Sequence, residues 1–154
     1  MNTLMETSTT AVTPQRRLDW KFYFAKIAEV TSERSSDQRL KVGCVLVKDN
    51  RICATGYNGN LPGVDNDLSL MINNHDVYKC HAEQNAIFDC AKRGVSIDKS
   101  ICYVTHRPCL QCYKSLVSSG VSKIYYINDY KNDHSVDSLI KVTNIEVEKI
   151  DPQQ

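Results

Sequence analysis

The sequence predicts an α/β fold, a three-layer α/β/α sandwich with a mixed five-stranded sheet, and three observations carry that expectation. One amphipathic helical pattern comes first, two apolar β-branched runs follow at hairpin spacing, and strand and helix signals then alternate to the end of the chain. The last connection is long enough for a crossover, which parallel strands require, so the final two strands should run parallel.

The first helix is expected over Leu18 to Arg34, where Trp20, Phe24 and Ile27, with Tyr23 and Val30 beside them, recur at three- and four-residue spacing and would cover one sheet face. Val42 to Val47 reads as a strand that breaks at Lys48, Asp49 and Asn50 before a second run, Arg51 to Thr55, giving an antiparallel hairpin. Gly56 to Lys79 holds three glycines and one proline without a clear period and reads as a long loop. Loops beyond about 12 to 15 residues inside compact domains tend to be functional, which makes this one a candidate wall of a site.

From Ala82 a helical pattern runs through Ala86, Ile87 and Cys90 to Lys92 and Arg93 and stops at Gly94. Ile101 to Thr105 is a strand. Pro108 is expected to open the next helix at the position where a missing N–H costs nothing, with Leu116, Val117 and Gly120 completing it. Lys123 to Ile127 returns as a strand. The stretch from Asp129 to Thr143 holds a short helix, Ser135 to Val142, before the alternating strand Ile145, Val147, Lys149. No internal repeat is present. Residues 1–16 read as a flexible tail and residues 17–154 as one domain.

Composition excludes several classes. With 42% hydrophobic and 24% charged residues the chain is neither disordered nor fibrous. Its 19 Lys plus Arg nearly balance 18 Asp plus Glu, so no global field draws it onto a polyanion, and a small substrate fits better than nucleic acid. No apolar run approaches the roughly 20 residues of a membrane span. Seven cysteines without a secretory signal point to metal or core roles in a reducing, cytoplasmic setting rather than to a disulfide framework.

The chemistry is carried by Cys80-His81-Ala82-Glu83-Gln84-Asn85-Ala86 and Thr105-His106-Arg107-Pro108-Cys109-Leu110-Gln111-Cys112. Cys109 and Cys112 lie three apart at a helix start, so both sulfurs project from one face and can grip one ion. His81 completes three donors of a tetrahedral zinc site, with the fourth place left for water, whose pKa zinc lowers toward about 7. Helix N-termini favour thiolate over thiol there. Glu83, two residues from His81, is not needed for coordination and can shuttle protons between water, ring nitrogen and leaving amine. Together the two segments match the deaminase signature, His-x-Glu ahead of Pro-Cys-x-x-Cys.

These residues, together with Ser35-Ser36-Asp37, Val42-Gly43, Gly56-Tyr57-Asn58-Gly59 and Pro62-Gly63, make the chain similar to deoxycytidylate (dCMP) deaminases of the zinc-dependent cytidine-deaminase superfamily, from about Trp20 to Tyr130. The resemblance implies a cytidine-deaminase-like fold, one catalytic Zn2+ per chain and hydrolysis of dCMP to dUMP for thymidylate supply. It implies that the Ala82 N–H meets the pyrimidine carbonyl and that Asn58 reaches the substrate near its sugar; the alternative for Asn58 is a turn residue. Tyr130 is a candidate substrate contact or a packing tyrosine. The resemblance further implies a homo-oligomer, a hexamer by family habit, activated by dCTP and inhibited by dTTP with Mg2+. Arg39, Lys41, Lys79 and Arg107 are all candidates for the phosphate, although Arg107, where relatives often carry an aromatic or small residue, also reads as a plain solvated arginine. His75 and Cys80 fall where some relatives build a second, structural zinc, but four ligands are not evident. Cys44, Cys53, Cys90 and Cys102 read as small buried apolar residues. Two alternatives stand beside the leading reading: deamination of another cytosine nucleotide or of a base in RNA or single-stranded DNA, and a DNA-uptake or scaffold protein of the same fold without turnover.

Overall fold

The computed structural model describes residues 4–131 and 133–153. The expected tail begins in residues 1–3, which lie outside the described residues; residues 4–19 carry no helix or strand and are exposed. The elements run α1 (Trp20–Ser32), β1 (Gly43–Lys48), β2 (Arg51–Tyr57), β3 (Met71–Ile72), β4 (His75–Asp76), α2 (Ala82–Arg93), β5 (Ile101–His106), α3 (Leu110–Ser118), β6 (Lys123–Asn128), α4 (His134–Thr143) and β7 (Glu146–Lys149).

The main sheet has five strands in the order β2-β1-β5-β6-β7. β1 pairs antiparallel with β2 and β5, and β5, β6 and β7 run parallel, so the mixed sheet and the parallel final pair are as the sequence predicts. Asp49 and Asn50, both at positive φ, make the two-residue connection of the first hairpin, a conformation Asp and Asn tolerate.

Strand alternation sorts the core into two layers. Cys44, Leu46, Cys102, Val104 and Ile124 face α2, α3 and α4 through Ala82, Ala86, Cys90, Tyr113, Leu116 and Val136. Val45, Val47 and Tyr103 face the other way and meet α1. α1 covers that face with Phe24, Ala25 and Ala28, whereas Trp20, Tyr23 and Val30 remain largely exposed, so the buried stripe is narrower and built of smaller residues than the aromatic periodicity implies. Cys44, Cys90 and Cys102 are buried as expected, while Cys53, on the edge strand β2, is half-buried.

Two expectations need correction. The stretch from Gly56 to Lys79 is not irregular throughout: β3 and β4 form a small antiparallel hairpin closed by Asn73 and Asn74, both at positive φ. Two-residue strands are too short for any alternation to register. Pro108 does not occupy the first helical position of α3. Cys109, with extended backbone at φ −71° and ψ 171°, is the N-cap, so Leu110 is the first helical residue and Pro108 stiffens the approach to the cap.

What seats α2 on the sheet is a close approach. A Cβ at Gly56 would fall 2.2 Å from the Ala82 carbonyl oxygen and 2.5 Å from the Ala86 nitrogen. Only glycine lets the first turn of α2 lie this near β2. Asn85 adds a tether, donating from Nδ2 to the Tyr57 carbonyl at 2.8 Å. We expect Gly56→Ala to destabilise the protein by about 1–3 kcal/mol, the range for forced overpacking, read as a lower urea midpoint, together with weakened zinc retention because α2 begins at the site. Wild-type stability and metal content in that variant would contradict this account of how α2 is held.

Candidate active site

The starts of α2 and α3 meet on the same side of the sheet, and each puts a metal-capable side chain at its N-cap: His81 for α2, Cys109 for α3. The His81 backbone N–H is held by the Gln84 side-chain oxygen at 2.9 Å. This bond forms part of a capping box at the start of α2. Its Nδ1 lies 3.3 Å from Cys112 Sγ and 3.5 Å from Cys109 Sγ.

These three donor atoms lie within 4.8 Å of one another, the only group of three or more His, Cys, Asp or Glu donors so clustered among the described residues. A tetrahedral ion with Zn–S near 2.3 Å and Zn–N near 2.0–2.1 Å sets N···S edges of about 3.5 Å. The two observed N···S separations match those edges. His75 packs its ring edge-on to His81 with centroids 5.7 Å apart, and Cys80 sits in a β-bridge with Gly59, but no second cluster forms around them among the described residues.

The electrostatics of the donors are coupled. Interaction with the Cys112 thiol, helped by His81, holds Cys109 down to about 4 against the opposing effect of burial. Cys112 is pushed far above the ordinary thiol range by the same neighbour, by burial and by the Glu83 charge. A divalent cation held by both sulfurs would relieve that opposition and let both be thiolates. Glu83 is 4% exposed, and burial raises its pKa, partly offset by its own backbone N–H and by His81.

A cleft of about 720 Å³ opens beside the donors, and its lining includes Asn58, His81, Ala82, Glu83, Cys109 and Tyr130. Every site residue expected from the sequence except Cys112, which is buried behind it, thus reaches the cleft. Ala82 is the first helical residue of α2, where a backbone N–H has no intrahelical acceptor. Tyr130 packs edge-on to His106 with centroids 6.2 Å apart. His106, absent from the expected set, also lines the cleft; burial lowers its pKa, and its Nδ1 lies 2.9 Å from the Thr105 hydroxyl.

Asn58 uses its carboxamide on the backbone: Oδ1 accepts from the Val42 N–H and Nδ2 donates to the Leu40 carbonyl, both at 2.8 Å. Of the four phosphate candidates, Arg39, Lys79 and Arg107 line the cleft and Lys41 does not. Arg107 is not a solvated arginine. Its side chain is 11% exposed and paired with Asp137 in the first turn of α4, and its backbone N–H donates to the Asn128 carbonyl at 2.9 Å.

A His-Cys-Cys donor set at two helix starts, with a buried carboxylate beside it on a three-layer sandwich, defines a zinc-dependent deaminase centre. Residues 18–128 match the family model described as the cytidine and deoxycytidylate deaminase zinc-binding region. ComE operon protein 2 of Bacillus subtilis is 38% identical over 138 residues, covering 88% of this chain and 73% of that protein. A probable deoxycytidylate deaminase of Caenorhabditis elegans is 42% identical over 112 residues, covering 69% of this chain and 56% of that protein, so the chain spans little more than half the length of this relative. Among solved structures, the dCMP deaminase of cyanophage S-TIM5 in complex with dCMP and dUMP superposes with TM-score 0.78 at 35% identity, over 88% of this chain and all of that one (100%). The chain belongs to the cytidine and deoxycytidylate deaminase family.

Removing either thiolate leaves too few donors for a tetrahedral site. We expect Cys109→Ala and Cys112→Ala to lose most of their zinc by elemental analysis and to unfold at lower temperature than the wild type. Full metal content in both variants would assign the ion to other residues.

Proposed function

We propose that the protein hydrolyses dCMP to dUMP and ammonia, with His81, Cys109 and Cys112 holding one zinc ion and Glu83 moving the protons. The observation that carries this reading is the placement of Glu83, buried at the metal end of a cleft large enough for a mononucleotide. It is supported by the likeness along the whole cyanophage chain to an enzyme solved with dCMP and dUMP.

Bound there, zinc supplies the Lewis acidity that makes water a nucleophile near neutral pH. The chain supplies the rest. The Ala82 N–H donates to the pyrimidine carbonyl and fixes the ring at the start of α2. Glu83 takes a proton from the attacking water, gives it to the ring nitrogen, and then carries a proton to the departing amine. Its raised pKa suits a group that must both accept and donate. Asn58 stands beside the sugar, and Tyr130 closes the far wall. A carboxylate kept at this position also argues for turnover over a scaffold role. A polynucleotide substrate would need a basic or aromatic channel, whereas two of the cleft cations are paired with Asp76 and Asp137.

The same reading extends to residues 17–154 as the catalytic unit, working in the cytoplasm. It includes a homo-oligomer, a hexamer by resemblance, with dCTP as activator and dTTP with Mg2+ as inhibitor; family membership is what supports these. No helix among the described residues is long and apolar enough to cross a membrane.

Glu83→Gln should keep about one zinc per chain and lose turnover by at least the 10² to 10⁴ that acid–base assistance contributes; near-normal activity would remove Glu83 from the mechanism. dCMP should exceed deoxycytidine in kcat/KM by at least about tenfold, equivalent to ~1.4 kcal/mol of transition-state binding. Equal efficiency on the two would move the enzyme to free nucleosides.

A further inference from the structure

We infer that Arg39 is the residue that recognises the 5′-phosphate of the substrate, an assignment that rests on the dCMP reading above. Four side chains with a fixed positive charge line the cleft among the described residues: Arg39, Lys79, Arg107 and Lys131. Two are paired with carboxylates and a third packs on an aromatic ring. Lys79 pairs with Asp76 at 3.7 Å, both side chains being 13% exposed, Arg107 pairs with Asp137, and Lys131 lies 5.4 Å from the Tyr130 ring centroid. Arg39 has no carboxylate within ion-pair distance among the described residues. Its one side-chain hydrogen bond runs from Nη1 to the Asn74 carbonyl at 3.2 Å.

That single bond orients the group without neutralising it. Asn73 and Asn74, both at positive φ, close the β3–β4 hairpin and present the Asn74 carbonyl to the guanidinium. Asp37, the nearest acid in sequence, is occupied by the backbone N–H groups of Arg39 and Leu40, at 2.7 and 3.1 Å. A guanidinium carries five N–H donors in a planar fork matched to phosphate oxygens, so most of the fork is left to face the cleft. The β3–β4 hairpin acquires a function in the same step, as the bracket that holds this fork in place.

Hydrogen bonds link the segment of Arg39 to the metal ligands in two steps. Cys80, next to the ligand His81, exchanges hydrogen bonds with Gly59 at 3.1 and 2.8 Å. Asn58, next to Gly59, is tied to Leu40 and Val42, and Arg39 adjoins Leu40. Arg39 therefore sits on the second bonded segment counted from His81, and both residues line the same cleft. A nucleoside monophosphate with its ring at the metal ligands would direct its phosphate toward that segment. Asn58 falls between the two ends, at the level of the sugar, and its carboxamide fixes the segment that bears Arg39.

The test compares dCMP and deoxycytidine as substrates for the zinc-loaded full-length protein and for Arg39→Ala and Arg39→Lys. We expect Arg39→Ala to lower kcat/KM for dCMP roughly ten- to hundredfold, the worth of a hydrogen bond to a charged group, with zinc content and deoxycytidine turnover held within about twofold. Arg39→Lys should keep part of the preference, as a point charge without the fork. A wild-type preference for dCMP that survives in Arg39→Ala would overturn the assignment while leaving the dCMP reading intact. An equal fall on both substrates would also overturn it, marking Arg39 as structural. The absence of any wild-type preference would overturn both readings together.

Discussion

Everything at the active end of this molecule depends on the convergence of two helix N-termini on one side of the sheet. His81 and Cys109 are the N-caps of α2 and α3, and Cys112 follows one turn into α3. Three donors within 4.8 Å of one another are a poor arrangement for side chains alone. Two sulfurs this close push each other's pKa in opposite directions, and a shared cation would relieve that opposition. The unpaired N–H groups of the helix starts favour negative charge on the sulfurs, and the zinc ion completes the balance. The site is thus a consequence of where two helices begin, and the precision with which they are seated becomes the precision of the chemistry.

Several polar residues around the cleft serve that seating. Gln84 secures the His81 backbone, Asn85 ties α2 to the end of β2, and Asn58 braces the Leu40–Val42 segment. Gly56 allows the close approach of β2 to α2 that the Asn85 tether spans. The Tyr57-Asn58-Gly59 and Gln84-Asn85 segments therefore fix the neighbourhood of the site, Asn85 by joining β2 to α2, Asn58 by bracing the chain before β1 and Gln84 by closing the cap of α2. The reacting end of the cleft is in this way rigidly tied to the sheet. Its other end is built from the loop around Asp37 and the small β3–β4 hairpin, which contacts the rest of the chain through fewer bonds.

Much of this was legible in the residues. The order of elements, the parallel final strands and the His-Cys-Cys set follow from hydrophobic period, a long crossover and donor spacing, all of which are local or nearly so. What escaped was set by tertiary contacts. The β3–β4 hairpin has strands too short to show alternation. Arg107 looked solvated because nothing in its neighbourhood in sequence reveals Asp137, thirty positions away (|i−j| = 30), and the role of Cys109 as N-cap displaced Pro108 from the helix. Asn58 was placed at the substrate by resemblance, while its partners on Leu40 and Val42 emerge only once the chain has folded back on itself.

The central claim is that this cleft performs hydrolysis of a cytosine mononucleotide, and the most direct measurement follows the incoming oxygen. Purified zinc-loaded protein would be incubated with dCMP in heavy-oxygen water, with single-stranded DNA treated in parallel, and ammonia and labelled product quantified together. The account requires one heavy oxygen in each dUMP formed, one ammonia released per dUMP, and no comparable reaction on the polynucleotide. Turnover of the polynucleotide alone, or uptake of label without release of ammonia, would contradict it.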